Sequence, residues 1–222
     1  MSSVADSPRP GYAARRPAGE LTRAQVAILS ATEHLLQVRA LHELNVADII
    51  EAAGISRTSF YAYFPSKTAV IAAGLRQVMD QVMVAVEPLH AADGADPESA
   101  VRISLEQWVS VATRHGALLR AVSEQWPHDD ELRDLWFEML DTMAAGTARV
   151  IGDARRAGVA PGGAPPRPLA ACLLWGYERV LHVALVGDAA GLDGPEAIVE
   201  PLTQMMVGGL YGRPLAAPPA AA

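Results

Sequence analysis

The sequence predicts an all-helical protein, with a short helix-turn-helix near the N-terminus and a larger helical body behind it. Three observations carry this reading. Apolar residues recur at spacings of three and four along most of the chain, no run alternates apolar with polar residues as a half-buried strand does, and Gly54 separates two short amphipathic segments where a sharp turn fits.

Ala24, Ile28, Ala31 and Leu35 lay an apolar stripe on a first helix from about Thr22 to Val38. Asn45 caps a short second helix with Asp48 in its first turn and Val46, Ile49, Ile50 and Ala53 on one face. Gly54 then supplies the left-handed residue that ends it. Ser56 caps a third helix in which Phe60 and Phe64 point inward while Arg57, Thr58, Ser59, Tyr61 and Tyr63 face solvent. Pro65 bars continuation, and Ser66 with Lys67 opens a fourth helix to about Val86, striped by Ile71, Leu75, Val78 and Val82. Pro88 and the segment HAADGADP break the pattern. Helices are then expected over Pro97 to Arg114, Ala117 to Glu124, Asp130 to Ala157, Leu169 to Val186 and Pro195 to Leu210, with GVAPGGAPPRP as a long loop.

The net charge of −7 argues against a general polyanion binder, but the sum hides an asymmetry. Residues 1 to 85 carry 8 Lys and Arg against 7 Asp and Glu, whereas residues 86 to 222 carry 10 against 18. Any nucleic-acid surface therefore belongs near the N-terminus. Cys172 is the single cysteine, so no intrachain disulfide forms and a reducing cytoplasm fits. Each long apolar stretch is interrupted by charge or proline, which argues against a membrane span.

A short helix, a Gly turn and a second short helix with exposed polar and aromatic side chains can present a recognition helix to a DNA major groove. Arg57 can reach a guanine edge or a phosphate, Thr58 can offer its methyl to thymine or its hydroxyl to phosphate, and Ser59 can serve either polar task. Tyr61 and Tyr63 suit phosphate contact. At Ser66 and Lys67 the free amides of a helix start favour an anion, and the lysine adds charge. A plain helical hairpin with a solvated polar face is the alternative that a Gly turn alone would favour.

The full string LNVADIIEAAGISRTSFYAYFPSKTA, from Leu44 to Ala69, closely resembles the DNA-binding signature of TetR-family regulators. The resemblance implies a TetR-like fold, base or backbone contact by Arg57, Thr58, Ser59, Tyr61 and Tyr63, and Lys67 on phosphate. Asn45 and Ser66 complete the expected DNA-binding set. The stretches LHELNVADII, ELRDLW and YERVLH look most like the ethionamide-resistance repressor branch of that family. That likeness implies an apolar pocket behind the DNA-binding unit, for which Leu105, Trp108, Trp136, Met139, Leu140, Met143 and Tyr177 supply the wall and Thr147 and His182 the polar handles. Simple core packing is the alternative for each of these residues.

The expected organisation is a disordered arm over 1–20, a DNA-binding domain over 21–67, an effector-binding and dimerisation domain over 68–213, and a disordered tail over 214–222. Arg15 and Arg16 in the arm are not counted as site residues. The last two helices carry Leu173, Val180, Leu181, Ala184, Met205 and Met206 on more than one face, and Gly208 and Gly209 would permit close approach of a second copy. The implied partners are double-stranded operator DNA, a small hydrophobic effector and a second copy of the chain, with no membrane and no cofactor.

Enzyme and metal readings find little material. The six histidines, His34, His42, His90, His115, His128 and His182, include no pair at helical i,i+3 or i,i+4 spacing, and no HExxH occurs. Asp129, Asp130, Glu131 and Asp134 stand at a helix start, where capping explains them. A repressor released by its effector is the leading expectation. A small helical enzyme would show turnover of a pocket ligand, and a structural DNA-binding dimer would show little operator preference.

Overall fold

The structure, a computed structural model, describes residues 21–91, 96–187, 191–192 and 194–212. The expected arm, with Arg15 and Arg16, and the expected tail lie outside the described residues. Among the described residues ten α-helices run as α1 (Arg23–Leu36), α2 (Val46–Ala53), α3 (Arg57–Tyr63), α4 (Lys67–Ala85), α5 (Glu87–Ala91), α6 (Pro97–Arg114), α7 (Gly116–Gln125), α8 (Asp130–Arg156), α9 (Pro166–Val186) and α10 (Val199–Tyr211). Tight 3-10 turns occupy Leu41–Glu43, Trp126–His128 and Pro195–Ile198, and no strand is present among the described residues.

Local chemistry sets the ends of the first four helices. Thr22 and Gln25 form a capping box at the start of α1, and Asn45 and Asp48 form another at α2. Gly54 ends α2 at φ 64° and ψ 35°, a left-handed conformation that a residue with Cβ adopts only with strain. Ser56 caps α3 and Ser66 caps α4, each hydroxyl accepting from the amide three residues on.

Two apolar clusters hold the chain. Ile28, Ile49, Phe60, Phe64 and Val70 form a compact knot among α1, α2, α3 and the start of α4. Phe60 is fully buried in it, and truncation to Ala would cost about 3 to 5 kcal/mol. The larger cluster fills the helical body, where α8 lies along α9, α6 packs on α10 and α4, and α4 also meets α7 and α8. Because α4 gives Val70 to the knot and Ile71, Leu75, Val78 and Val82 to the larger cluster, one rigid helix belongs to both.

The structure departs from the sequence reading at four places. Helix α1 stops at Leu36 rather than Val38. The expected break at Pro88 is the short helix α5, and the expected loop GVAPGGAPPRP already contains the first turn of α9, with Pro166 at its head. The last helix is a 3-10 turn over Pro195–Ile198 followed by α10. In the first turn of a helix the missing proline N–H has no carbonyl to serve, so proline starts these elements instead of stopping them.

Two helical stretches, Lys67–Leu89 and Pro166–Val186, are long and apolar enough to cross a membrane by length and composition alone, although charge falls within each, Arg76 and Asp80 in the first and Glu178 and Arg179 in the second. More than half of the apolar window of the first is buried within the protein itself.

Candidate functional site

The exposed face of α3 is built by its own periodicity. With Phe60 and Phe64 anchored in the knot, Arg57, Thr58, Tyr61 and Tyr63 are left exposed and Ser59 half-buried. Tyr61 and Tyr63 are 45% and 40% exposed, unusual for aromatic side chains with no core to fill. The Arg57 guanidinium lies 5.4 Å from the centre of the Tyr61 ring and 3.5 Å from its hydroxyl, so the two form one cationic, planar surface. Ser59 shares a 2.9 Å hydrogen bond with Ser56 Oγ, which ties its hydroxyl to the helix start.

Asn45 Oδ1 accepts the amides of Ala47 and Asp48 at 2.8 and 3.1 Å, while its side chain stays exposed at the head of α2. Asp48 returns the bond to the Asn45 amide at 2.8 Å; that bond, with Arg39 at 3.3 Å, holds its carboxyl below the ordinary range.

Lys67 is placed differently from the mobile phosphate-seeking cation that the sequence suggested. Its Nζ donates to the carbonyls of Leu41 and Leu44 at 2.7 and 2.5 Å, so it clamps the turn before α2 to the head of α4. Partial burial pushes the ammonium pKa down, and the nearby Asp48 carboxylate pushes it back up. Ser66 accepts from Ala69 at 3.0 Å and leaves the first amides of α4 beside the α3 face.

Behind this surface the helical body encloses a cavity of about 80 Å³. All nine residues expected from the sequence, Leu105, Trp108, Trp136, Met139, Leu140, Met143, Thr147, Tyr177 and His182, line it together. The wall also includes Val78 and Val82 of α4, Val86 at its C-terminal cap, and four polar residues that the sequence pattern did not single out: Ser104, Arg120, Ser123 and Glu178. Glu178 had a readable signal, an acid on the same face of α9 as Leu174 and Leu181 at steps of four and three. Burial raises the Tyr177 hydroxyl pKa above its ordinary value. Burial, then Arg179, lowers the His182 pKa, which favours the neutral imidazole.

Three polar contacts join the cavity wall and its helices to α1 and to the head of α4. Arg120 donates to the carbonyl of Leu36 at the end of α1 at 3.0 Å. Thr68 on α4 donates to Asp129 at 3.3 Å, and the other oxygen of Asp129 caps α8 through Leu132. His115, at the junction of α6 and α7, meets Glu33 of α1 at 2.8 Å.

Residues 28–73 match the family of bacterial regulatory proteins described as tetR, and residues 101–212 match the C-terminal domain of the transcriptional regulator EthR. The chain is 32% identical over 211 residues to the HTH-type transcriptional regulator EthR of Mycolicibacterium smegmatis, covering 95% of each chain. It is 34% identical over 214 residues to EthR of Mycobacterium tuberculosis, covering 95% of this chain and 96% of that one. The fold also matches SmeT, the repressor of the Stenotrophomonas maltophilia multidrug efflux pump SmeDEF, at a TM-score of 0.66 and 21% identity, covering 85% of this chain and 90% of that one. Relatives over nearly the whole chain are thus DNA-binding regulators rather than enzymes. This protein belongs to the TetR family of helix-turn-helix transcriptional regulators and is EthR-like in both its N-terminal and C-terminal parts.

Proposed function

We propose that this regulator is a homodimeric repressor, acting in the cytoplasm, that leaves its operator when a small apolar effector enters the cavity. Residues 21–67 would form the DNA-binding domain and 68–213 the effector-binding and dimerisation domain. The observation that carries the reading is α4: Ser66 and Lys67 stand at its head beside the α3 face, and Val78 and Val82 of the same helix, with Val86 at its C-terminal cap, wall the cavity. A ligand that displaces this wall tilts a rigid lever whose head sets the position of α3.

Arg57, Thr58, Ser59, Tyr61 and Tyr63 are the proposed reading and phosphate-contacting face, with Asn45 and Ser66 flanking it. Lys67 serves that face by fixing its support and leaves direct phosphate contact to its neighbours. The second copy would pack on α9 and α10. Their exposed residues include Cys172, Trp175, Gly176, Met205 and Gly208, and a Cβ built on either of those glycines meets nothing within 4 Å. Leu181, Ala184 and Met206 are buried within the chain, and Gly209 approaches Leu173 of its own α9 at 3.6 Å. The dimer face is therefore narrower than the sequence pattern implied. Two recognition helices must enter successive major grooves about 34 to 36 Å apart, so an effector that changes their spacing releases the DNA.

A mobility shift against DNA flanking the protein's own gene, at stated salt and with specific and random competitor, tests the proposal. A discrete complex that resists random competitor and dissolves on addition of an apolar ligand is expected. Equal competition by random DNA contradicts it.

A further inference from the structure

The cavity wall holds buried polar atoms with no hydrogen-bond partner in three residues: Glu178 Oε2, Tyr177 OH and Trp136 Nε1. Glu178 is the demanding one. It is only 7% exposed, and a buried carboxylate oxygen without a donor is costly to keep. Its other oxygen accepts from Ser123 Oγ at 2.9 Å, which fixes the carboxylate against the wall.

The nearby cations leave that oxygen without a hydrogen bond. Arg179 Nη2 lies 3.5 Å from Oε2 but makes no hydrogen bond with it, and its side chain is about half exposed. Arg120, the arginine in the wall, donates to Leu36. His182 sits four residues along α9, and the charges acting on it are Arg179, Glu178, Glu124 and Arg120.

Resting on the proposed role of this cavity as the effector site, we propose that its ligand is an apolar amine whose ammonium donates to Glu178 Oε2. The Tyr177 hydroxyl, also unpartnered in the wall, is a further acceptor for a polar hydrogen, and the indoles of Trp108 and Trp136 suit a cation as well as a hydrocarbon. Leu105, Met139, Leu140 and Met143 then cover the apolar body, the methionines adapting to its shape. A neutral hydrocarbon leaves Glu178 Oε2 without a hydrogen bond, and an acid of the same shape meets like charge.

Calorimetric titration of the full chain with phenylpropylamine, phenylpropanol and propylbenzene tests this, using the wild type, Glu178→Gln and Glu178→Asp. The amine should bind the wild type at least about tenfold more tightly than the alcohol, the scale of one charge-assisted hydrogen bond. Glu178→Gln should remove most of that preference and leave alcohol and propylbenzene affinities within about threefold, which also shows that the variant is folded. Glu178→Asp, which withdraws the charge by one methylene, should give an intermediate preference and serves alone if Glu178→Gln does not fold. Alcohol or propylbenzene binding with no preference for the amine overturns the proposal while the cavity remains an effector site. Survival of the preference in Glu178→Gln also overturns it. If none of the three binds, the effector reading of the cavity fails and this proposal with it.

Discussion

Replacing Lys67 by Met separates two roles open to a lysine at the head of α4. The structure gives its ammonium two carbonyl partners, Leu41 and Leu44, and half-buries the side chain. Hydrogen bonds from a charged donor contribute about 1.5 to 3 kcal/mol each when well buried. Methionine keeps the packing of the stem, and partial exposure reduces the loss, so the variant should be destabilised by about 2 kcal/mol. For a domain of this size that is a fall in Tm of roughly 4 to 8 °C. A lysine bound to phosphate predicts another pattern: stability unchanged, with the slope of log affinity against log salt reduced by about 1. Thermal unfolding combined with DNA titration at four or more salt concentrations distinguishes them. We expect lower Tm and an intact salt slope. An unchanged Tm with a lost slope would refute the placement of Lys67 as a clamp.

The α3 surface makes a paired prediction: Arg57→Ala should relax base preference at particular operator positions by about 1 to 3 kcal/mol, while Tyr61→Phe should weaken binding to all sequences alike, checked by competition with single-base operator variants. Arg120→Met removes the bond from the cavity wall to the end of α1, so operator affinity should stay within about threefold while the ligand-induced loss of affinity shrinks. Anisotropy titrations with and without ligand measure both, and an unchanged ligand response would remove Arg120 from the coupling route. Trp108→Ala should alter ligand affinity and leave operator binding largely intact, because the cavity lies behind the N-terminal unit; equal loss of both would indicate core damage. His182 supplies a pH test. Its folded pKa is depressed, so the unfolded chain takes the proton first and stability falls as pH drops through about 6.5. His182→Asn should show a smaller Tm loss between neutral and mildly acidic pH, and an identical loss would assign the slope to other groups.

The first four helices were legible because each carries its own signals. Asn45, Gly54, Ser56 and Ser66 act within three residues of themselves, and the Phe60 and Phe64 pair fixes which face of α3 turns outward. Prolines were misread for one physical reason. Pro88 and Pro166 lie in the first turn of their elements, where no backbone donor is lost, so a rule for helix interiors failed at helix starts.

The cavity set was legible as a group through family resemblance and apolar spacing, but of its polar content only Thr147 and His182 were. Glu178 finds Ser123 across 55 positions of sequence, and Arg120 finds Leu36 across 84; such pairs depend on helix packing that no local pattern encodes. The same holds for Lys67, whose carbonyl partners lie 23 and 26 residues earlier in the chain. A helix start with a lysine reads as an anion site until the turn packed against it is known.

Selection of bound sequences from random double-stranded DNA by the purified protein separates an operator-reading dimer from a non-specific DNA binder. An inverted repeat should be enriched, its half-sites centred one helical turn apart, about 10 to 10.5 base pairs or a multiple of it, matching two α3 helices on one face of the duplex. Recovery of pools without a shared sequence, at salt where binding persists, would contradict it.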